Sequence, residues 1–356
     1  MDSYSKIFTE VLKAANRKKF WLVLVGLLIV SGNFLTATAL QAMNALLRGT
    51  SVIEAIGKFD IIKFAPIAVV PIIFFSLIYE ARLLGWEKSS FIKIIEAKTH
   101  SIRTDIFYFI LYCSNLFALM GIIFSLGISF WIQFEIRETF SFGWVSESII
   151  GGFLIQCLIG PFIFYWIHRM DHSRFFWEFH KLHHASKEMC LINNFRNHPV
   201  LHALRMTIET LPGALLGVHP VALLSYAFLN GFVVVWQHTN LNWNMPFIEK
   251  YIFIASREHR VHHSELPEHY DKNLGYFVFW DWLFGTLHYP RILPSEPPIG
   301  VSDPLYNHEN PAKGLVQIYF HAFRAFFREL WATFRILPRN ESGRSQKPQP
   351  INNPSH

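Results

Sequence analysis

Charge is scarce in this 356-residue chain: Asp, Glu, Lys and Arg make up 16% of it, against about 25% in an ordinary soluble domain. With 51% hydrophobic residues and a mean hydropathy of +0.25, that shortage favours the membrane class. Cysteine is scarce too. Cys113, Cys157 and Cys190 show no CxxC spacing, which argues against a disulfide framework and leaves them as small core residues. No HExxH motif is present: the one His-Glu pair, His308–Glu309, is followed by Asn-Pro-Ala, so a zinc metalloprotease of that type is excluded. No Gly-rich dinucleotide motif appears. The net charge of +6 comes without a nucleic-acid-binding signature. Basic residues flanking apolar runs account for it, and no nucleic-acid partner is expected.

The chain does have long apolar runs. A spanning helix needs about 20 mainly apolar residues, and the runs at 20–47, 61–79, 106–132 and 149–167 qualify. Their middles hold almost no ionisable residue, unlike a metal transporter. The first run is too long for the core of a cleavable signal, so a spanning helix is expected there. A fifth apolar region, 200–237, is interrupted by Pro212, Gly213, Gly217 and Pro220 and reads as a helical hairpin entering the membrane and returning. Lys and Arg alternate between the connecting segments. Lys6, Lys13, Arg17, Lys18 and Lys19 precede the first run, and the next loop has only Arg48 and Lys58. Arg82, Lys88, Lys93, Lys98 and Arg103 follow the second run, and Arg137 alone follows the third. High, low, high, low is the pattern of a cytoplasmic N-terminus. The fourth span then delivers His168 to the cytoplasmic face, and the hairpin returns His238 to it. The expected fold is an all-α integral membrane protein: about four transmembrane helices, a helical hairpin and a cytoplasmic helical cap.

Near the C-terminus, residues 314–337 repeat Phe320, Phe323, Phe327, Leu330, Trp331 and Phe334 at helical spacing, with Arg324, Arg328 and Arg335 between them. Such a basic amphipathic helix suits either the membrane interface or packing on the protein's own cap. The tail from Pro338 has the composition of a disordered segment.

Histidine is abundant and clustered: 12 of 18 lie between 168 and 263. His168 and His172 are four apart, one helical turn on one face. His180, His183 and His184 form HxxHH, and His259, His262 and His263 repeat it. The i, i+3 and i+4 positions share a helix face, so each box can converge. His238 stands between the boxes, in WQHTN. Neutral imidazole is the commonest metal-binding side chain and suits iron, copper, zinc or nickel over magnesium or calcium. One structural zinc is satisfied by four ligands, and nine rings on one face therefore point to two ions.

These residues resemble the fatty acid hydroxylase and sterol desaturase superfamily of integral-membrane di-iron enzymes. The matching segments are HRMDH (168–172), HKLHH (180–184), NNFRNHPV (193–200), QHTN (237–240), HRVHH (259–263) and DKNLGYFVFWDWLFGTLHYP (271–290). The resemblance covers about 145–292. It divides the chain into an N-terminal transmembrane region, 1–144, a di-iron domain, 145–292, a C-terminal segment, 293–337, and the tail, 338–356. It implies that the nine boxed histidines hold two irons and use dioxygen to hydroxylate or desaturate a lipid taken from the bilayer. It also implies a separate electron donor (a ferredoxin, cytochrome or reductase). The site would face the cytoplasm at a bacterial inner membrane, or at the ER membrane in a eukaryote. The alternative is a lipid-binding or zinc-binding membrane relative without oxidative activity.

The chain departs from the family pattern in several places. ASRE (255–258) replaces the usual Thr-Pro-Ser or Thr-Pro-Glu, and NLG replaces Asn-Tyr-Gly. His202 stands where many members have Glu, making an extra HxxxH with His198, for which helix packing or a supporting role is favoured over ligation. Where some members end the third cluster in His, this chain has Asn242, with Asn240 a second candidate. Asp171, Glu178 and Glu258 flank the boxes and either orient ligand imidazoles or are solvated. Asp271, Asn273 and Asp281 are expected to fix the loop and helix behind the last box.

Overall fold

The structure, a computed structural model, describes residues 69–124, 148–241, 246–289 and 297–334, with isolated positions in 29–51 and 131–139. The described residues are helical, and their only β-type pairings are two isolated bridges, Phe253 with Phe277 and Ser264 with Ile299. Numbered over the described helices, the order is α1 (Val69–Leu84), α2 (Ser90–Glu96), α3 (His100–Cys113), α4 (Leu116–Phe124), α5 (Ile149–Asp171), α6 (Trp177–His184), α7 (Pro199–Leu215), α8 (Pro220–Gln237), α9 (Pro246–Tyr251), α10 (Ser256–His262), α11 (Val278–Leu283) and α12 (Pro311–Thr333).

Local chemistry sets several of these starts. Ser148, Thr99 and Asn310 accept the backbone N–H of Gly151, Ile102 and Lys313 and so cap α5, α3 and α12. His198 and His219 use ring nitrogens in the same way, each followed by a proline at the first helical position. The turn at 216–219 between α7 and α8 makes the expected pair of helices across 200–237, although Pro212 lies inside α7 and not at the turn.

Among the described residues α5 is the one helix long and apolar enough to cross a membrane. The run at 20–47, residues 61–68 of the second run and the tail from Pro338 fall largely or wholly outside the described residues, and the rest of the second run, 69–79, lies in α1. The run at 106–132 departs from the expected single helix. α3 ends at Cys113, Asn115 takes a left-handed backbone (φ 58°), and α4 starts at Leu116. A hydropathy window averages across such a break and does not register it.

α5 is the central post. Both arms of the α7–α8 pair pack on it, and Gly160 lets Tyr226 of α8 come so close that a Cβ there would overlap the phenol ring. The Tyr226 hydroxyl meets that of Tyr276 at 2.5 Å, tying α8 to the loop behind the last box. Around α6 the core is apolar, with Tyr108, Phe117, Leu182, Ala185, Tyr306, Leu315 and Ile318 in one cluster. Residues on both sides of the domain expected at 145–292 therefore pack against its second box.

Candidate metal centre

His168 and His172 occupy the last turn and C-cap of α5. His180, His183 and His184 lie on α6, His238 caps the C-terminus of α8, and His259, His262 and His263 lie on or cap α10. The nine rings meet in the interior as two groups. His168, His172, His180, His184 and His262 form one, and His183, His238, His259 and His263 the other. Within each group the nearest ring nitrogens are all within 4.8 Å of one another. The groups abut, with the rings of His184 and His263 stacked at 4.5 Å.

The HxxHH boxes do not each converge as a unit. His180 and His184 enter the first group and His183 the second; His259 and His263 enter the second and His262 the first. Positions i and i+4 differ by about 40° around a helix, whereas i+3 lies about 60° to the other side. Each box therefore gives its i, i+4 pair to one group and its i+3 ring to the other.

Backbone carbonyls set the tautomers. His168 Nδ1 lies 2.6 Å from the Leu274 carbonyl, His238 Nδ1 2.7 Å from that of Val234, and His262 Nδ1 2.8 Å from that of Lys272. A carbonyl only accepts, so each Nδ1 carries the proton and each Nε2 presents a lone pair to the centre. His172 Nδ1 faces the Asp271 carboxylate at 3.3 Å, with the same consequence. Burial pushes His183, His184, His259, His262 and His263 well below the ordinary histidine range, with neighbouring imidazoles adding to it, and holds His238 at about 4. At neutral pH these rings are uncharged, the form that binds metal.

The arrangement fits metal ions. Nε2 atoms stand 3.1 Å apart in the pairs His168–His180, His180–His184, His238–His259 and His259–His263, and 3.3 Å apart in His183–His238. Two ligands at right angles on an ion with bonds of about 2.1 Å have nitrogens roughly 3.0 Å apart. The buried Nε2 atoms of His172 and His262 have no hydrogen-bond partner among the described residues, which is costly unless an ion takes them. His180 differs from the rest. Its Nδ1 lies 3.0 Å from Arg205 Nη2, and a guanidinium only donates. A neutral His180 thus carries its proton on Nε2, and binding an ion there would release that proton.

The supporting residues divide sharply. Asp171 accepts from Arg205 Nε at 2.6 Å, so it steadies His180 through the arginine. The Glu258 carboxylate binds Arg257 while its backbone carbonyl accepts from Asn273 Nδ2. Asp281 accepts from the backbone N–H of Leu274 and Gly275 and from the Thr286 hydroxyl. Asp271 and Asn273 both hold left-handed backbones, so the loop turns its Lys272 and Leu274 carbonyls toward two different boxes. The structural role expected of Asp271, Asn273 and Asp281 corresponds to this loop.

The extra candidates stand apart from both groups. His198 caps α7 and stacks on Tyr319, and His202 packs against Tyr112 and Phe117. Asn240 is drawn elsewhere: Glu80 takes its N–H at 2.6 Å, its Nδ2 donates to the Lys88 carbonyl, and its Oδ1 accepts from Arg260. Asn242 lies outside the described residues. Arg205 and the carbonyls of Val234, Lys272 and Leu274 had no sequence signal, since an arginine on an apolar helix and a main-chain oxygen carry no spacing pattern.

A cleft of about 530 Å3 reaches the first group from outside, lined by His172, His184, His262, Trp177, Tyr270 and charged residues that include Lys181, Asp271 and Asp303. Lys181 is held by Asp303 at 3.0 Å and by Glu178 at 3.5 Å. Burial alone would raise Glu178, but His321, Lys181 and Tyr306 outweigh it and hold the carboxyl at about 2.

Fold and site together define a buried polyhistidine centre in two abutting groups that could each hold a metal ion, carried at the end of an apolar helix. Residues 153–286 match the fatty acid hydroxylase family, and this domain belongs to the fatty acid hydroxylase and sterol desaturase superfamily. The chain is 31% identical over 151 residues to an ornithine lipid hydroxylase of Rhizobium tropici, covering 42% of this chain and 45% of that protein. It is 30% identical over 146 residues to a cholesterol 25-hydroxylase-like protein of Danio rerio (38% and 55%) and 30% identical over 150 residues to methylsterol monooxygenase 2-2 of Arabidopsis thaliana (40% and 53%). The chain thus spans about half the length of the curated relatives it matches. No solved structure matches it significantly.

Proposed function

We propose that the protein is a membrane-bound di-iron oxidoreductase that uses dioxygen to hydroxylate a C–H bond of a lipid. The observation that carries this reading is the pair of abutting all-histidine groups, five and four rings, with ring nitrogens within 4.8 Å of one another in each group. Imidazole donors suit iron, and the nitrogen spacings suit ligands sharing an ion. Two bound irons would supply reduction of dioxygen and removal of hydrogen from an unactivated carbon. His168, His172, His180, His184 and His262 would hold one and His183, His238, His259 and His263 the other. The chain's own part is to fix those rings through the Leu274, Lys272 and Val234 carbonyls, to keep water from the second group by burial, and to admit substrate to the first through the cleft.

By name, one relative is an ornithine lipid hydroxylase, one resembles a cholesterol 25-hydroxylase and one is a methylsterol monooxygenase, which supports lipid as the substrate class and hydroxylation over desaturation. Electrons would come from a separate ferredoxin, cytochrome or reductase.

The test is metal analysis after gentle purification, joined to lipid profiling of cells with and without the protein. About two irons per chain and a lipid gaining one oxygen are expected. A single zinc, or no metal with the fold intact, would overturn the reading. His183→Ala and His262→Ala should each abolish the lipid product without removing the protein from the membrane.

A further inference from the structure

Helix α12 lies outside the family match, and its two faces differ in kind. The inner face buries Gly314, Leu315, Ile318, Ala322 and Ala325. It holds the second box: Phe323 and Phe326 pack on Phe179, and His321 Nε2 reaches the Glu178 carboxylate at 3.2 Å. The outer face carries Val316, Phe320, Phe327, Trp331 and Phe334, which are 43% to 67% exposed. At 3.6 residues per turn these five fall within a sector of about 60°. Lys313, Arg324 and Arg328 run along one edge of that stripe, while the helix's single acidic residue, Glu329, is turned toward the inner side.

A second observation fixes the level at which this stripe sits. Arg174 Nη2 donates to Thr333 Oγ1 at 3.0 Å, and Phe175 and Phe176 pack on Phe326. Those residues form the turn just past α5, the helix long and apolar enough to span a bilayer. The C-terminal end of α12 therefore lies where α5 leaves its apolar stretch, the height of a membrane surface.

We propose that the outer face of α12 is seated in the polar–apolar boundary of a bilayer bearing anionic headgroups, with the helix axis in the membrane plane. Aromatic side chains favour that boundary, and basic residues along one edge meet the headgroups. A helix in this position would sink its stripe about 5–10 Å into the headgroup and acyl boundary. Through Phe179 and Glu178 it would then hold α6, and with it three of the nine histidines, at a set height above the lipid. This assignment does not depend on the metal or the reaction.

The test uses the full chain reconstituted in vesicles of phosphatidylcholine and phosphatidylglycerol. Phe320→Cys and Gln317→Cys, both at exposed positions of α12, each carry an environment-sensitive fluorophore, with the parent chain and its three native cysteines as background. The label at 320 should be quenched several-fold more than the label at 317 by lipids spin-labelled near the top of the acyl chain, and less by aqueous iodide. Arg324→Glu with Arg328→Glu should weaken the lipid quenching at 320. Equal iodide quenching at both positions, with no lipid quenching, would overturn the proposal. So would efficient cross-linking between two chains at 320 without lipid quenching, which would assign the stripe to a second copy.

Discussion

His168 and Leu274 are 106 residues apart, yet the ring Nδ1 of one lies 2.6 Å from the carbonyl oxygen of the other. The contact reaches one residue further, because Asp281 grips the N–H groups of Leu274 and Gly275 at 2.7 and 2.8 Å. Asp281 thus orients an imidazole it never touches. Asp281→Ala leaves those N–H groups and the Thr286 hydroxyl without their acceptor and frees the loop. Loss of an outer partner typically weakens metal binding by about 10–100-fold. The expected result is faster metal loss to a chelator at unchanged helix content by circular dichroism. Unchanged chelator kinetics would refute the link.

His262 and His263 are neighbours in sequence but belong to different groups. On the two-ion reading, His262→Ala and His263→Ala should each strip mainly one ion, leaving about one iron per chain, and the double variant should hold none. Elemental analysis alongside Mössbauer spectroscopy would show two different residual signals, one per variant. Identical residual signals would mean that the histidines do not partition as their positions indicate.

Arg196 and Asp105 form an ion pair at 3.1 Å with both side chains fully buried. Asp105 also accepts from Ser186 and Asn193, and Arg196 reaches the Tyr306 carbonyl and Asn307. The pair thereby joins α3, the segment after the second box and the segment before α12. Asp105→Ala leaves a buried guanidinium without its partner, at a cost of about 3–5 kcal/mol. Unfolding in detergent should shift accordingly, and Asp105→Leu with Arg196→Met should recover much of the loss. A shift confined to the noise would show that the flanking segments are not integral to the domain.

The four histidine clusters were legible because HxxxH and HxxHH are helical spacings, and α5, α6 and α10 carry them as helices. Helical spacing lets each box split into an i, i+4 pair and an i+3 ring, but that the two parts serve different groups was not legible, because it depends on how α5, α6, α8 and α10 meet. Asn240 looked like a ligand candidate from its place after His238. It is held instead by Glu80, a residue 160 positions earlier whose burial no local pattern announces. The helix break at Asn115 was hidden in the same way, since an apolar run reads alike whether one helix or two run through it. The amphipathic segment left two alternatives open in the sequence. The structure packs its inner face on the second box and leaves its aromatic stripe exposed, and that geometry, not the periodicity, motivates the membrane-surface assignment.

His198 offers a pH test away from the metal groups. Its Nδ1 accepts the Val200 N–H as the cap of α7, and burial pushes its pKa down to about 3 from the ordinary 6.5. Protonation would place a hydrogen where the cap needs a lone pair. Above pH 6.5 neither the folded nor the unfolded chain protonates this ring. As the pH falls below that value the unfolded chain takes up a proton that the folded chain refuses, so stability declines until the pH nears 3. His198→Asn keeps a capping oxygen and removes the titration. Plotted against pH, the stability difference between variant and parent should tilt toward the variant as acid is added, with a slope of about one proton in the middle of that window. Parallel curves would show that His198 is protonated in the folded chain as readily as in the unfolded one.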